Sequence, residues 1–428
     1  MFTIKDLSKK QKIILFSLLF VYLMINLITI FKYKEYLFLK SDDGAYTYAG
    51  KYLIDHGMLI YHYDNVPTSF IMPGTPVIFG IFYWLVHDEW RAIMLYRIMQ
   101  CFLQTYCLYL MFVMSKEFFN KYVGYIAVIL SLFYFPDFQT SGLILTEIPF
   151  KLSFILLVKY SYLAIKSKEV KNYIIGGIWL TVTMYFRPVL APYPIVILVI
   201  WIIEKYSIKE MVKFASITIV TVCLCLTPWW IRNYNTFNRF IIFTESSGDP
   251  FLLGTYINYE KDESYNNIVN DSKYNITVDG ENVKDVPSLD KGKKELGIQR
   301  IKDEFKKDPL GLISWYTYKK TEILWRNPFL WKPVYNLNYS VYEYHGYIGM
   351  FALIGILVAL RSNFKKHLFL FLTLAFYNCI YLPFFCFDRY NYPAMWILII
   401  FAASLIWKIF KGNEEYRGEL REENMAYH

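Results

Sequence analysis

Cysteine is scarce and dispersed. The 428-residue chain has 6 of them, Cys101, Cys107, Cys223, Cys225, Cys379 and Cys386, in or beside apolar segments. With no Cys-x-x-Cys pair and no Cys/His ligand cluster, a disulfide scaffold and a zinc site both drop out. Charge is sparse as well, at 19% of residues, and the net +9 is spread in short runs between apolar blocks. A nucleic-acid partner would leave one basic stripe instead. No Gly-rich phosphate loop or dinucleotide fingerprint appears, and no repeat of the kind carried by many transporters. What the chain has in abundance is apolar surface: 56% hydrophobic and 20% aromatic residues. These fall in blocks rather than alternating, so the solvent for most of the chain is lipid.

A spanning helix needs roughly 17 to 25 residues. Candidate spans lie near 11–31, 92–114, 122–135, 143–164, 173–186, 189–203, 211–230, 346–360, 367–386 and 392–409. The expected fold is an all-α polytopic membrane protein with about ten transmembrane helices. The first apolar run follows Lys9, Lys10 and Lys12 and has no small-residue cleavage site, so it reads as a retained first helix. With the N-terminus inside, the inner loops carry Lys116 and Lys121, then Lys166, Lys168 and Lys171, then Lys205 and Lys209, then Arg361, Lys365 and Lys366. Each is basic, as the positive-inside rule requires, and both termini are expected in the cytoplasm.

The segment Gly74 to Val86 is apolar but reaches only about 20 Å at 1.5 Å per residue, too short to cross about 30 Å of hydrocarbon. It is expected as an interfacial helix beside a second one over about Ala45 to His56, inside a structured first outer loop (32–91). Residues 1–230 then form an N-terminal transmembrane module. Residues 231–345 form an outer polar region between helices 7 and 8, within which Gly297 to Trp325 is expected as a helix lying on the bilayer. Residues 346–410 form the last spans. The acidic tail, 411–428, is expected as a solvated cytoplasmic end.

A few charged residues interrupt the apolar segments near their outer ends: Asp42, Asp43, Glu147, Arg187, Arg232 and Arg389. Each costs roughly 2.5 to 3.5 kcal/mol at membrane depth on insertion scales, so clustering toward one side points to a shared anionic ligand or reaction centre. Carboxylates at such a centre accept a proton and guanidinium groups hold phosphate through forked donors. Each also has a plainer use. An aspartate caps the helix that begins near Gly44, and Glu147 suits a helix dipole. Arg389 has Asp388 beside it, and Arg232 sits where side chains snorkel to headgroups.

The order of these residues resembles the glycosyltransferase C (GT-C) superfamily, in particular the family 39-like branch of protein O-mannosyltransferases and lipid A aminoarabinose transferases. Ser41-Asp42-Asp43-Gly44-Ala45-Tyr46 resembles its acidic first-loop motif, and Leu145-Thr146-Glu147 its second acidic site. Gly176-Gly177 with Arg187-Pro188, Pro228 to Asn233, and Arg389-Tyr390 with Pro393 are similar to further recurring stretches. The chain departs from the pattern at Met72-Pro73-Gly74, where members carry a basic residue or histidine before a Pro-Pro pair.

The resemblance implies an inverting transfer of a sugar from a polyprenyl-phosphate donor to a hydroxyl or similar group of a glycan, lipid or protein acceptor, outside the membrane. Asp42 would be the base, with Asp43 as second choice and Glu147 orienting the acceptor or the base. Arg187, Arg232 and Arg389 would hold the phosphate, with Tyr46 and Tyr390 beside the sugar or prenyl chain. No cofactor is expected, although two adjacent aspartates leave room for a divalent ion with water. The alternatives are a flippase of lipid-linked sugars and a surface-polysaccharide polymerase or ligase.

Overall fold

The structure, a computed structural model, describes residues 2–278 and 280–426; the side chains of 338 and 413–426 lie outside the description. It is all-α apart from one small hairpin. α1 (Lys9–Tyr33) opens on a capping box in which Ser8 and Gln11 satisfy each other's free backbone donors. After a turn come the two helices of the first loop, α2 (Asp42–His56) and α3 (Gly74–Val86). They cross where Gly50 meets Gly80: a Cβ on Gly50 would lie 2.5 Å from the Pro76 carbonyl oxygen, so only glycine permits the approach. Gly57, at φ 70, ends α2 in the left-handed region.

α4 (Glu89–Phe118) starts on Asp88, whose side chain accepts from the Arg91 N–H, and packs against α5 (Lys121–Leu132). A short α6 (Pro136–Thr140) leads into α7 (Glu147–Ser167). α7 lies against α8 (Val170–Phe186), and the chain reverses through Arg187 and a 3-10 turn, Pro188–Leu190, into α9 (Pro194–Ile203). α10 (Ile208–Phe237) carries Pro228 inside it and ends at Asn238 in the left-handed conformation.

The polar region 231–345 is more structured than its composition suggests. It contains α11 (Gly248–Thr255), α12 (Glu263–Asn270) and an antiparallel pair, β1 (Asn275–Val278) with β2 (Glu281–Lys284), in which Ile276 faces Val283. The single helix expected over Gly297 to Trp325 is broken once: α13 (Val286–Lys307) is followed by α14 (Pro309–Ser314), which continues through a π turn, Trp315–Lys319, into α15 (Lys320–Arg326). The break falls at Asp308-Pro309, because proline cannot extend the preceding helix while Asp308 caps the new one through the Gly311 N–H at 2.9 Å. The chain closes with α16 (Asn338–Ser362), α17 (Phe364–Tyr381), two 3-10 turns over Asp388–Tyr390 and Tyr392–Ala394, and α18 (Met395–Ala426). The tail glutamates from Glu414 onward fall outside the described side chains.

Among the described residues, 6 helical segments are long and apolar enough to cross a bilayer: Lys9–Leu37, Glu89–Phe118, Glu147–Ser167, Ile208–Phe237, Tyr339–Ser362 and Asp388–Gly412. The remaining four expected spans correspond to α5, α8, α9 and α17, which are shorter or less apolar. The windows of Glu147–Ser167 and Asp388–Gly412 are 78% and 72% buried in protein, against 17% for Ile208–Phe237. α7 and α18 are therefore the interior of the bundle, and α10 lies at its edge with an open lipid face. Buried helices with charged residues at one end are the framework of the site.

Candidate active site

The site is assembled where α2, α7, the α8–α9 turn and the 388–390 turn converge. Glu147, in the first turn of α7, is fully buried. One of its oxygens accepts from Arg187 and from Arg389 Nε, and the other lies 3.4 Å from Arg389 Nη2. Arg389 Nη1 donates to Asp42 Oδ2 at 2.5 Å. Asp42, Arg389, Glu147 and Arg187 thus form one continuous chain of alternating charge, although up to 347 residues separate its members in sequence. Arg389 lies 5.4 Å from the Trp331 ring centroid and Arg187 lies 5.3 Å from that of Tyr390.

Exposure grades this chain. The Glu147 side chain is 0% exposed and that of Arg389 6%, whereas that of Asp42 is 41% exposed. Asp42 is the carboxylate that an incoming molecule reaches. Arg187 donates through Nε to Thr146 Oγ1 at 2.7 Å and through Nη2 to Glu147. Its Nη1 is buried without a partner. A guanidinium N–H left unpaired in protein is costly, so this edge is set to receive an acceptor oxygen.

Tyr46, one helical turn after Asp42, packs beside Tyr61 at 5.9 Å between ring centroids. Burial pushes the Tyr46 hydroxyl up to about 12, with Arg389 opposing and Asp42 adding. Burial also raises Tyr61, aided by Tyr46 and Asp42. Both hydroxyls stay protonated at neutral pH. Tyr390 stacks on Tyr381 at 4.9 Å, and its carbonyl accepts from Tyr377 at 2.7 Å.

Two sequence candidates stand apart from this cluster. Asp43 is fully buried and occupied by backbone: Oδ2 accepts from Leu39 N–H at 2.5 Å, and Oδ1 from Ser41 and Gly44 N–H at 3.1 and 2.9 Å. It shapes the entry to α2, leaving Asp42 to face outward. Asp42 and Asp43 therefore do not form a shared cation site, and among the described residues no group of three or more His, Cys, Asp or Glu side chains gathers. Arg232 donates to the carbonyls of Thr68 at 2.7 Å and Leu59 at 3.4 Å and lies over Trp229, tying α10 to the segment between α2 and α3. The alternative partner for Arg389 is also revised, since Asp388 accepts from the Arg389 backbone N–H at 2.7 Å rather than from its guanidinium.

Some neighbours of the site carried no sequence signal. Lys320 is buried and donates to the carbonyls of Leu382 and Phe384 at 2.7 and 3.0 Å, while Tyr259 accepts from the Cys386 N–H at 2.8 Å. Asn391 Nδ2 donates to the carbonyls of Leu324 and Asn327, both at 2.8 Å. The polar region 231–345 thereby fixes the loop that presents Arg389. Residues of this kind are recognisable only once the fold has brought them to their acceptors.

Residues 68–231 match the family described as dolichyl-phosphate-mannose-protein mannosyltransferase. No curated protein matches the chain. Among solved structures, it is similar to the archaeal oligosaccharyltransferase AglB from Archaeoglobus fulgidus in complex with an inhibitory peptide and a dolichol-phosphate, at 14% identity and a TM-score of 0.57 over 97% of this chain and 52% of that one. The apo form of the Archaeoglobus fulgidus oligosaccharyltransferase gives 12% identity and 0.56 over 95% and 52%. ArnT from Cupriavidus metallidurans bound to undecaprenyl phosphate aligns at 10% identity over 93% and 78%, with a TM-score of 0.43. The chain spans about half the length of the oligosaccharyltransferases it matches. At these identities the oligosaccharyltransferase likeness defines the fold. The family match is a likeness over residues 68–231, less than half of the chain.

Proposed function

We propose that this protein transfers a sugar from a polyprenyl-phosphate carrier to an acceptor hydroxyl or similar group at the outer face of the membrane, with inversion at the anomeric carbon. The observation that carries this reading is the graded charge chain: a reachable carboxylate, Asp42, joined through Arg389 and buried Glu147 to an arginine with one unpaired N–H. The acceptor oxygen attacks the anomeric carbon as its proton passes to Asp42. The bond from that carbon to the phosphate oxygen breaks, and the phosphate leaves with the electron pair. Arg187 Nη1 and Arg389 receive the charge that develops on it.

Glu147 has both oxygens turned to guanidinium groups, so its role is to hold Arg187 and Arg389 in place. A phosphate arriving at Arg389 competes with Asp42 for the same donor, which loosens the ion pair and releases the base when the leaving group is in position. Arg232 acts on the loop that carries Tyr61 and not on phosphate. The Archaeoglobus fulgidus oligosaccharyltransferase was solved with a dolichol-phosphate, which supports a prenyl carrier. The positive inner loops support cytoplasmic termini and an outward site.

The test supplies purified protein in detergent or nanodiscs with lipid-linked sugars and follows free polyprenyl phosphate. Release that depends on an acceptor supports a transferase, and a glycosylated acceptor identifies it. Movement of the intact lipid across a vesicle bilayer without bond cleavage would replace this reading with a flippase.

A further inference from the structure

A second cavity lies at the far end of the bundle. It has a volume of about 290 Å³ and sits between the end of α4, the start of α5, the α16–α17 junction and the outer turns of α18. Phe118 at its wall packs on Tyr162, 4.7 Å between ring centroids. A rise of 1.5 Å per residue puts Tyr162 about 22 Å from Glu147 along α7. The cavity therefore occupies the membrane interface opposite the charge chain, given about 30 Å of hydrocarbon.

Its lining combines cations with apolar walls and contains no acid. Lys366 is half-buried and Lys408 exposed, and among the described residues neither ammonium has an ion-pair partner. At the floor, His367 is 5% exposed and stacks on Phe119 at 4.5 Å. Its Nδ1 lies 2.8 Å from the Ala359 carbonyl oxygen and its Nε2 3.1 Å from that of Phe118. Both neighbours are acceptors, so a neutral ring donates to one of them at a time and the imidazole serves as a hydrogen-bonded floor. Trp407 stacks on Tyr122 at 4.5 Å beside the opening, in the manner of an aromatic belt at headgroup level.

We propose that this cavity binds the headgroup of an anionic phospholipid, with the phosphate between Lys366 and Lys408 and the acyl chains leaving along the apolar wall into the bilayer. Juxtamembrane lysines are attracted to anionic lipid surfaces, and a recess between helices converts that general attraction into a site. Neither lysine belongs to the charge chain, so the site is independent of the transferase reading.

Native mass spectrometry of the full chain released from nanodiscs of equimolar phosphatidylglycerol and phosphatidylcholine provides the test. The expected result is one retained phosphatidylglycerol per chain, with retention reduced about tenfold in Lys366→Gln/Lys408→Gln. Lys121→Gln/Lys365→Gln, which removes two cations of the same surface outside the cavity, should leave retention unchanged. Equal retention of the two lipids, no loss in the first variant, or equal loss in both variants would overturn the site. Displacement of the lipid by millimolar inorganic phosphate would overturn the lipid assignment in favour of a free-phosphate site.

Discussion

Two acid–base clusters share helix α7, one turn apart, and they differ in whether their valences are closed. In the upper one, Glu147 joins Arg187 to Arg389, Asp42 is 41% exposed and Arg187 retains an unpaired N–H. In the lower one, Asp137 Oδ1 accepts from Lys151 at 2.9 Å and Tyr392 at 2.8 Å, and Oδ2 accepts from Tyr22 at 2.7 Å. The Lys151 and Asp137 side chains are 9% and 4% exposed. Lys151 lies one turn beyond Glu147, and Tyr392 lies three residues beyond Arg389. The lower cluster fastens α7 to the 392–394 turn, next to the turn that presents Arg389. Similar side chains serve chemistry when a carboxylate is reachable and a donor is free, and serve architecture when every oxygen is taken.

That contrast can be broken by substitution. Outside the aspartate pair, the largest effect is expected at Arg389→Gln, which removes the partner of Asp42 and one of the two partners of Glu147. Phosphate release should fall by about 100-fold or more. A loss of stability alone, with turnover per folded molecule preserved, would show the upper cluster to be architectural as well.

Next comes Asp137→Asn, which leaves Lys151 buried without its counter-charge and should cost about 3 to 5 kcal/mol of stability. The double variant Asp137→Asn/Lys151→Met should recover most of it, because replacing both members of a buried pair is close to neutral. Thermal unfolding in one detergent checks both, and a double variant as unstable as the single would contradict the closed-network account.

A smaller loss, about 1 to 3 kcal/mol, is expected from Asp43→Asn, which weakens the amide clamp at the start of α2. Hydrogen exchange across residues 39–47 would register it as faster opening.

A further effect concerns pH. Burial holds the Lys320 ammonium down to about 7 from its usual value near 10.5. An unfolded chain binds that proton more tightly, so between about pH 7 and 10.5 the unfolded state carries more protons and this group adds stability as pH rises. Below about 7 both states are protonated and the cost of burying the cation stands in full. Unfolding of wild type and Lys320→Met across this range should give a steeper rise for wild type. Parallel curves would place the proton elsewhere.

Much of the fold was legible in the sequence because membrane depth constrains it. The interfacial helix read over Gly74–Val86 is α3 to the residue. The Arg187-Pro188 reversal between two short helices was equally visible, since proline and a charge within apolar sequence admit few placements. Failures occurred where tertiary contact decides. The α13–α14 break depended on Asp308 serving as a cap, and the hairpin at 275–284 had too few residues for a period. At the site, the residue types were readable and their pairing was not. Asp42 and Asp43 are adjacent and chemically identical, and only the path of residues 39–44 turns one to backbone amides and the other to Arg389. Lys320, Tyr259 and Asn391 bind main-chain atoms, which one sequence read alone leaves anonymous.

The central claim is the division of labour between those two aspartates, and it is tested by measuring polyprenyl-phosphate release and unfolding temperature together for Asp42→Asn and Asp43→Asn. The predicted result is a fall in turnover of about 100- to 10,000-fold for Asp42→Asn at unchanged stability, with Asp43→Asn losing stability and retaining turnover per folded molecule. Wild-type turnover in Asp42→Asn, or a loss confined to folded Asp43→Asn, would contradict the account.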